Sequence, residues 1–196
     1  MIDDLDKTIE TLLKRELPPS LVSQVTISFA APDGQFPPQS VTLPAVNFFL
    51  YDVRENRDLR TNEWVVERQG MGAVTRKRAP VRVDCAYLIT AWSSSTPNPS
   101  QDEHRVLGEV MRVLLRHPTI PAPLLQGSLR GQEPSLPTSS LQANNLQSLG
   151  EFWQALGGKP RAALSYTVTI SVDPYEAEQA PVVLERELRL KPDTEQ

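Results

Sequence analysis

A chain of 196 residues, 39% hydrophobic and 22% charged, suits one globular domain with a substantial core and excludes a disordered or fibrous class. Net charge is −4, which disfavours nucleic acid as a partner, and the single cysteine, Cys85, excludes an internal disulfide framework. Met1-Ile2-Asp3-Asp4-Leu5-Asp6 lacks the basic and apolar regions of a secretory signal, and no apolar run approaches the roughly 20 residues that span a bilayer. A cytoplasmic origin without membrane insertion is expected.

Residues 3–16 put Leu5, Ile9, Leu12 and Leu13 on one helical face, with acids early and Lys14 and Arg15 late, matching the macrodipole. Pro18-Pro19 ends that helix. Between Leu21 and Ala30, Val25, Ile27 and Phe29 alternate with Thr26 and Ser28, the period of a half-buried strand. A loop through Pro32-Asp33-Gly34 and Pro37-Pro38 leads to 46–53, apolar at nearly every position and expected to be covered on both faces.

Trp64-Val65-Val66 reads as a shorter strand, and Gly70-Met71-Gly72 as a hairpin tip. Val81, Val83, Cys85, Tyr87 and Ile89 share one face of a long strand whose far half, with Ala86, Leu88 and Trp92, is buried on both sides. Tyr51, Trp64, Tyr87 and Trp92 are all expected in the core. Ser100 and Glu103 form a capping box for a helix running to about Arg116, with Val106, Leu107, Val110, Val113 and Leu114 towards the sheet. His104 is expected in its first turn, and His117-Pro118 ends it.

Residues 118–146, rich in Pro, Ser, Gln and Gly, form a long excursion or short irregular strands. Ser148 and Glu151 open a third helix with Phe152, Trp153 and Leu156, stopped by Gly157-Gly158. Tyr166, Val168, Ile170 and Val172 alternate in a clear strand, and 182–190 reads as a charged edge strand.

The charge is uneven along the chain. From Arg54 to Arg82 there are eight basic residues against four acids, a net +4, so the remainder carries −8. Such a segment is either a solvated hairpin or a surface that meets an acidic partner or an acidic face of another copy. The candidate assembly residues are Arg54, Arg57, Arg60, Arg76, Lys77 and Arg78.

Few residues of the sequence are spaced for chemistry. His104 and His117, with no acidic or cysteine ligands at metal spacing, do not form a metal site. Gly70-Met71-Gly72-Ala73 lacks the third glycine of a dinucleotide fingerprint, and Gly127-Ser128-Leu129-Arg130-Gly131 lacks nucleophile-elbow spacing. Cys85 lies mid-strand on an apolar face as an inert core thiol. No catalytic residue, metal or cofactor is expected, and no nucleic-acid motif is present.

Four blocks in order, 46–60, 80–92, 102–121 and the weaker Phe152-Trp153-Gln154-Ala155-Leu156-Gly157 followed by Pro160 and Tyr166-Thr167-Val168, resemble the tube-terminator, or cap, proteins of extracellular contractile injection systems. These are phage-tail-like particles. The resemblance implies an α/β (α+β) fold: one domain over 1–196, a mixed, mostly antiparallel sheet flanked by about three helices, with a short tail at 191–196. It further implies a structural, non-enzymatic protein forming a homohexameric ring on the inner tube, ending tube and sheath growth and joining the tube protein to the last layer of sheath protein. A heterologous interface closes such a ring. Some relatives carry a further C-terminal region. A baseplate or sheath adaptor of the same particle is the alternative; a small-molecule enzyme or a nucleic-acid-binding protein are readings of other classes.

Overall fold

The computed structural model describes residues 1–69, 73–94, 97–142 and 149–181. Helix α1 (Ile2–Glu16) forms where the sequence predicts it, with Asp3 and Asp4 in its first turn and Lys14 and Arg15 in its last. Leu5, Ile9, Leu12 and Leu13 are wholly buried, and each such side chain contributes about 1.5–3 kcal/mol by leaving water. Pro18 and Pro19 do end α1, but Pro19 then occupies the first position of a one-turn helix, α2 (Pro19–Val22), where its missing N–H is harmless. That turn shortens the expected strand to β1 (Thr26–Ser28).

β2 (Ala45–Glu55), the hairpin strands β3 (Trp64–Gln69) and β4 (Ala73–Arg78), and β5 (Val81–Trp92) follow. Helix α3 (Pro99–Arg116) precedes an excursion containing two 3-10 turns and β6 (Thr138–Ser140). Then come α4 (Leu149–Ala155), β7 (Ala163–Val172) and β8 (Glu178–Pro181). The described strands form a five-stranded sheet ordered β1-β2-β5-β7-β6 and a three-stranded sheet ordered β3-β4-β8. Only β1 and β2 run parallel; the other pairs are antiparallel, so the fold is α+β as the sequence implies.

One face of the larger sheet carries Val46, Phe48, Cys85, Tyr87, Ile89, Tyr166, Val168 and Ile170, and α1 and α3 cover it. On α3 the buried residues are the five that the helical period picks out, Val106, Leu107, Val110, Val113 and Leu114. The excursion completes this core, with Ile120, Leu124, Leu125, Leu129 and Leu136 all buried. It is tied down by Asp4, whose carboxylate accepts from the Ser128 N–H and hydroxyl at 3.1 and 2.7 Å, and by Thr8, whose hydroxyl accepts from Gln126 N–H at 3.0 Å. On the opposite face Phe152 packs against Phe49 and Tyr51, Trp153 is buried, and Phe36 stacks on Trp92. Cys85 is wholly buried, and burial pushes its thiol up to about 11, as an inert core thiol requires.

Several expectations need correction. β2 is covered on both faces only from Ala45 to Phe48; a bulge at Tyr51 turns its far end outward, and Val53 is exposed. No Ser100–Glu103 capping box forms. Asn98 takes the N-cap position with Pro99 inside the helix, and Glu103 instead accepts from the Ser93 N–H at 3.3 Å and from Arg161 at 2.7 Å. Because the helix starts at Pro99, His104 falls beyond its first turn. Ser148, the glycine-containing tip at 70–72 and the strand expected over 182–190 lie outside the described residues.

Candidate assembly interface

Where β2 leaves the core, Asn56 shapes the following turn. Its side-chain amide donates to both Asp84 oxygens at 3.1 and 3.0 Å, its N–H donates to the Arg82 carbonyl at 2.8 Å, and its own side-chain oxygen accepts from Leu59 N–H at 3.0 Å. Asp84 also accepts from the Thr169 hydroxyl at 2.7 Å, so the turn is anchored to β5 and β7. The chain therefore leaves one sheet in a fixed direction and enters the other.

In the hairpin, Trp64 stands opposite Arg78, Val65 opposite Lys77 and Val66 opposite Arg76. Directly opposed residues share a face, so Trp64, Val66, Arg76 and Arg78 lie on one side and Val65 and Lys77 on the other. The sequence reading that put Trp64 in the core is wrong: Trp64, Val65 and Val66 are 39%, 51% and 57% exposed. Their apolar run sits in β3, which among the described strands pairs only with β4. The Arg76 and Arg78 guanidinium carbons lie 4.8 and 5.4 Å from the Trp64 ring centre, and Arg78 is also 5.4 Å from the ring of Tyr175.

The six candidate basic residues are all on this part of the molecule, but most have carboxylate partners within the chain. Arg54 Nε lies 2.5 Å from Asp52, Arg60 Nε 3.3 Å from Glu55, and Arg76 Nη2 2.9 Å from Glu178; Lys77 pairs with Asp173. The Arg54 guanidinium is held above its ordinary pKa by its hydrogen bond to Asp52. Arg57 and Arg78 make no ion pair among the described residues. Arg82, counted with the basic segment by sequence, is 6% exposed and belongs to the interior. It donates to the Pro134 and Ser135 carbonyls at 3.4 and 3.2 Å and to the Ser171 hydroxyl, and desolvation lowers its pKa.

Sequence reasoning missed Asp173, Tyr175 and Glu178, the residues that β7 and β8 bring back against the hairpin. The acidic stretch they occupy was visible, but the pairing of Arg76 with Glu178 spans 102 positions and is set by strand order. A pocket of about 280 Å³ opens beside Trp64, lined by Arg60, Thr61, Asn62, Arg78 and Tyr175 among others. A wider groove of about 620 Å³ runs under the opposite face, between Val65, Lys77 and the excursion residues Ser128, Gln132 and Glu133. Among the described residues no three His, Cys, Asp or Glu side chains are grouped to hold a metal ion, and no helix is long and apolar enough to cross a membrane. The arrangement offers stacking, charge and strand-edge contacts.

The Pvc16 N-terminal domain family model matches residues 4–185. The chain belongs to that family. Its fold matches a cryo-EM structure of the sheath/tube terminator of the PVC extracellular contractile injection system in the extended state, at 25% identity and a TM-score of 0.70 over 98% of this chain. It also matches a cryo-EM structure of the tube-terminating cap of the anti-feeding prophage, at 26% identity and a TM-score of 0.65, again over 98% of this chain. The chain spans 64% and 62% of those two chains, under two thirds of their lengths. No curated protein sequence matches it.

Proposed function

We propose that this protein is a structural terminator of a phage-tail-like contractile injection particle, non-enzymatic, forming a hexameric ring on the end of the inner tube. It stops tube and sheath polymerisation there and joins the tube to the last sheath layer. The observation that carries this reading is the match of nearly the whole chain to two caps, the PVC sheath/tube terminator and the anti-feeding prophage cap. The family assignment over 4–185 supports it independently of the structural match.

The work of such a protein is geometric, and a ring of identical copies needs two different, complementary patches on each copy. The β3–β4 hairpin, with its exposed Trp64, Val65 and Val66, supplies one patch of the right character. Assembly begins in the cytoplasm, and the protein ends as a component of the particle. Light-scattering sizing of the protein alone and mixed with tube protein tests the reading. A hexamer, or a complex formed at tube ends, supports it; a monomer indifferent to tube under all conditions refutes it.

A further inference from the structure

β3 is the outermost strand of the β3-β4-β8 sheet, bonded on one side to β4 and to no other described strand. Natural edge strands are guarded by proline, lysine or an inward charge, and an unguarded one is a template for another strand. Trp64-Val65-Val66, the first half of β3, carries none of these; the charged residues Glu67 and Arg68 follow only in its second half. Two guanidinium groups are carried across β4 onto the Trp64 ring of that edge, and they differ. Arg76 is engaged by Glu178, whereas Arg78, 5.4 Å from the ring centres of both Trp64 and Tyr175, has no hydrogen-bond or carboxylate partner among the described residues. Proximity to two ring faces holds the Arg78 charge beside the edge while no partner takes its five N–H donors, which suits them to a carboxylate. The neighbouring pocket of about 280 Å³, with Arg60, Thr61 and Asn62 on its wall, has room for a short acidic side chain.

We propose that the free edge of β3 receives an extended strand from a partner protein, with a carboxylate side chain of that strand bound by Arg78 between Trp64 and Tyr175. Backbone hydrogen bonds to β3 supply sequence-independent affinity, and the Arg78 pocket supplies the selection for acid. On the added strand, apolar residues two positions from the acid lie on the same face and cover Val66. The proposal rests on the terminator reading for which protein donates the strand, and on this geometry alone for what the strand carries.

The test selects binders from a random peptide display library on the full chain and synthesises the best peptide with Glu→Gln and backbone N-methylated versions. The expected result is enrichment of one Asp or Glu flanked by apolar residues at alternating positions. The Gln peptide then binds about tenfold more weakly, the N-methylated peptide loses binding, and Arg78→Gln removes the preference for Glu over Gln. Hydrogen exchange of β3 amides slows on binding. Peptides with no acidic enrichment, an acid preference that survives Arg78→Gln, or protection elsewhere on the molecule would overturn the proposal. Because the selection involves no particle, these outcomes stand apart from success or failure of tube capping.

Discussion

Arg76 and Glu178 are joined across the β4–β8 pair by two hydrogen bonds, from Nε at 3.1 Å and Nη2 at 2.9 Å to the same carboxylate oxygen. The most basic stretch of the sequence is thus partly neutralised by a segment about a hundred residues later. Both side chains are about half exposed, so the pair stabilises the fold by less than about 1 kcal/mol. Arg76→Glu sets two carboxylates against each other at the β4–β8 pair. Hydrogen exchange of β8 amides should accelerate in Arg76→Glu, return towards wild type in the swapped double variant Arg76→Glu/Glu178→Arg, and not change in Arg57→Glu.

Arg57 and Arg78 are the cleaner probes of assembly, since reversing them breaks no described ion pair. The double change Arg57→Glu/Arg78→Glu should leave the far-ultraviolet circular dichroism of the domain unaltered and reduce ring formation or tube binding in light scattering. Unchanged assembly would remove Arg57 and Arg78 from the interface.

Gly127 adopts φ +52, and a Cβ there would overlap the Asp4 carboxylate that holds Ser128. Gly127→Ala therefore strains the backbone by about 1–2 kcal/mol and displaces the contact that anchors the excursion to α1. Urea unfolding should show a loss of at least that size, accompanied by faster proteolysis within 122–135.

Arg82 places a guanidinium in the interior with three acceptors around it. Arg82→Met keeps the volume but leaves the Pro134 and Ser135 carbonyls unpaired, at a cost of about 1–3 kcal/mol measured as a shift in the urea midpoint. Arg82→Lys should recover part of the loss, because one ammonium cannot span all three partners.

Tyr87 OH donates to Asp6 Oδ1 at 2.8 Å, joining β5 to α1. Burial raises the Asp6 pKa, and the Tyr87 hydrogen bond offsets part of that rise. A carboxyl whose folded pKa lies above its unfolded value favours the folded state when protonated. Its stabilising contribution is therefore fully present below the unfolded value of 3.8 and is lost as pH rises through the folded pKa. Stability of wild type relative to Asp6→Asn should fall across that window. Equilibrium unfolding at a series of pH values checks the sign.

What the sequence disclosed divides along physical lines. The five inward residues of α3 and the four of α1 were legible because one covered face imposes a helical period. The alternation of Tyr166, Val168 and Ile170 gave β7 its inner face in the same way. Trp64 was misplaced because a short aromatic and β-branched run looks alike in a core strand and in an exposed edge strand; strand order decides, and that order is nonlocal. Glu103 fits a capping box by spacing, yet tertiary partners Ser93 and Arg161 take its carboxylate instead. The candidate basic residues are close in sequence and were visible as a run, but the partners Asp173 and Glu178 follow from β7 and β8 returning to the hairpin, which no local pattern encodes.

The central claim is that copies of this protein cap a growing tube and set its length. Electron microscopy of particles made with and without its gene, scored for tube and sheath length, tests this most directly. The account predicts uniform, fully sheathed particles when the gene is present, and tubes of uncontrolled length with incomplete or detached sheath when it is absent. Particles lacking the gene that remain uniform, fully sheathed and able to contract would contradict it.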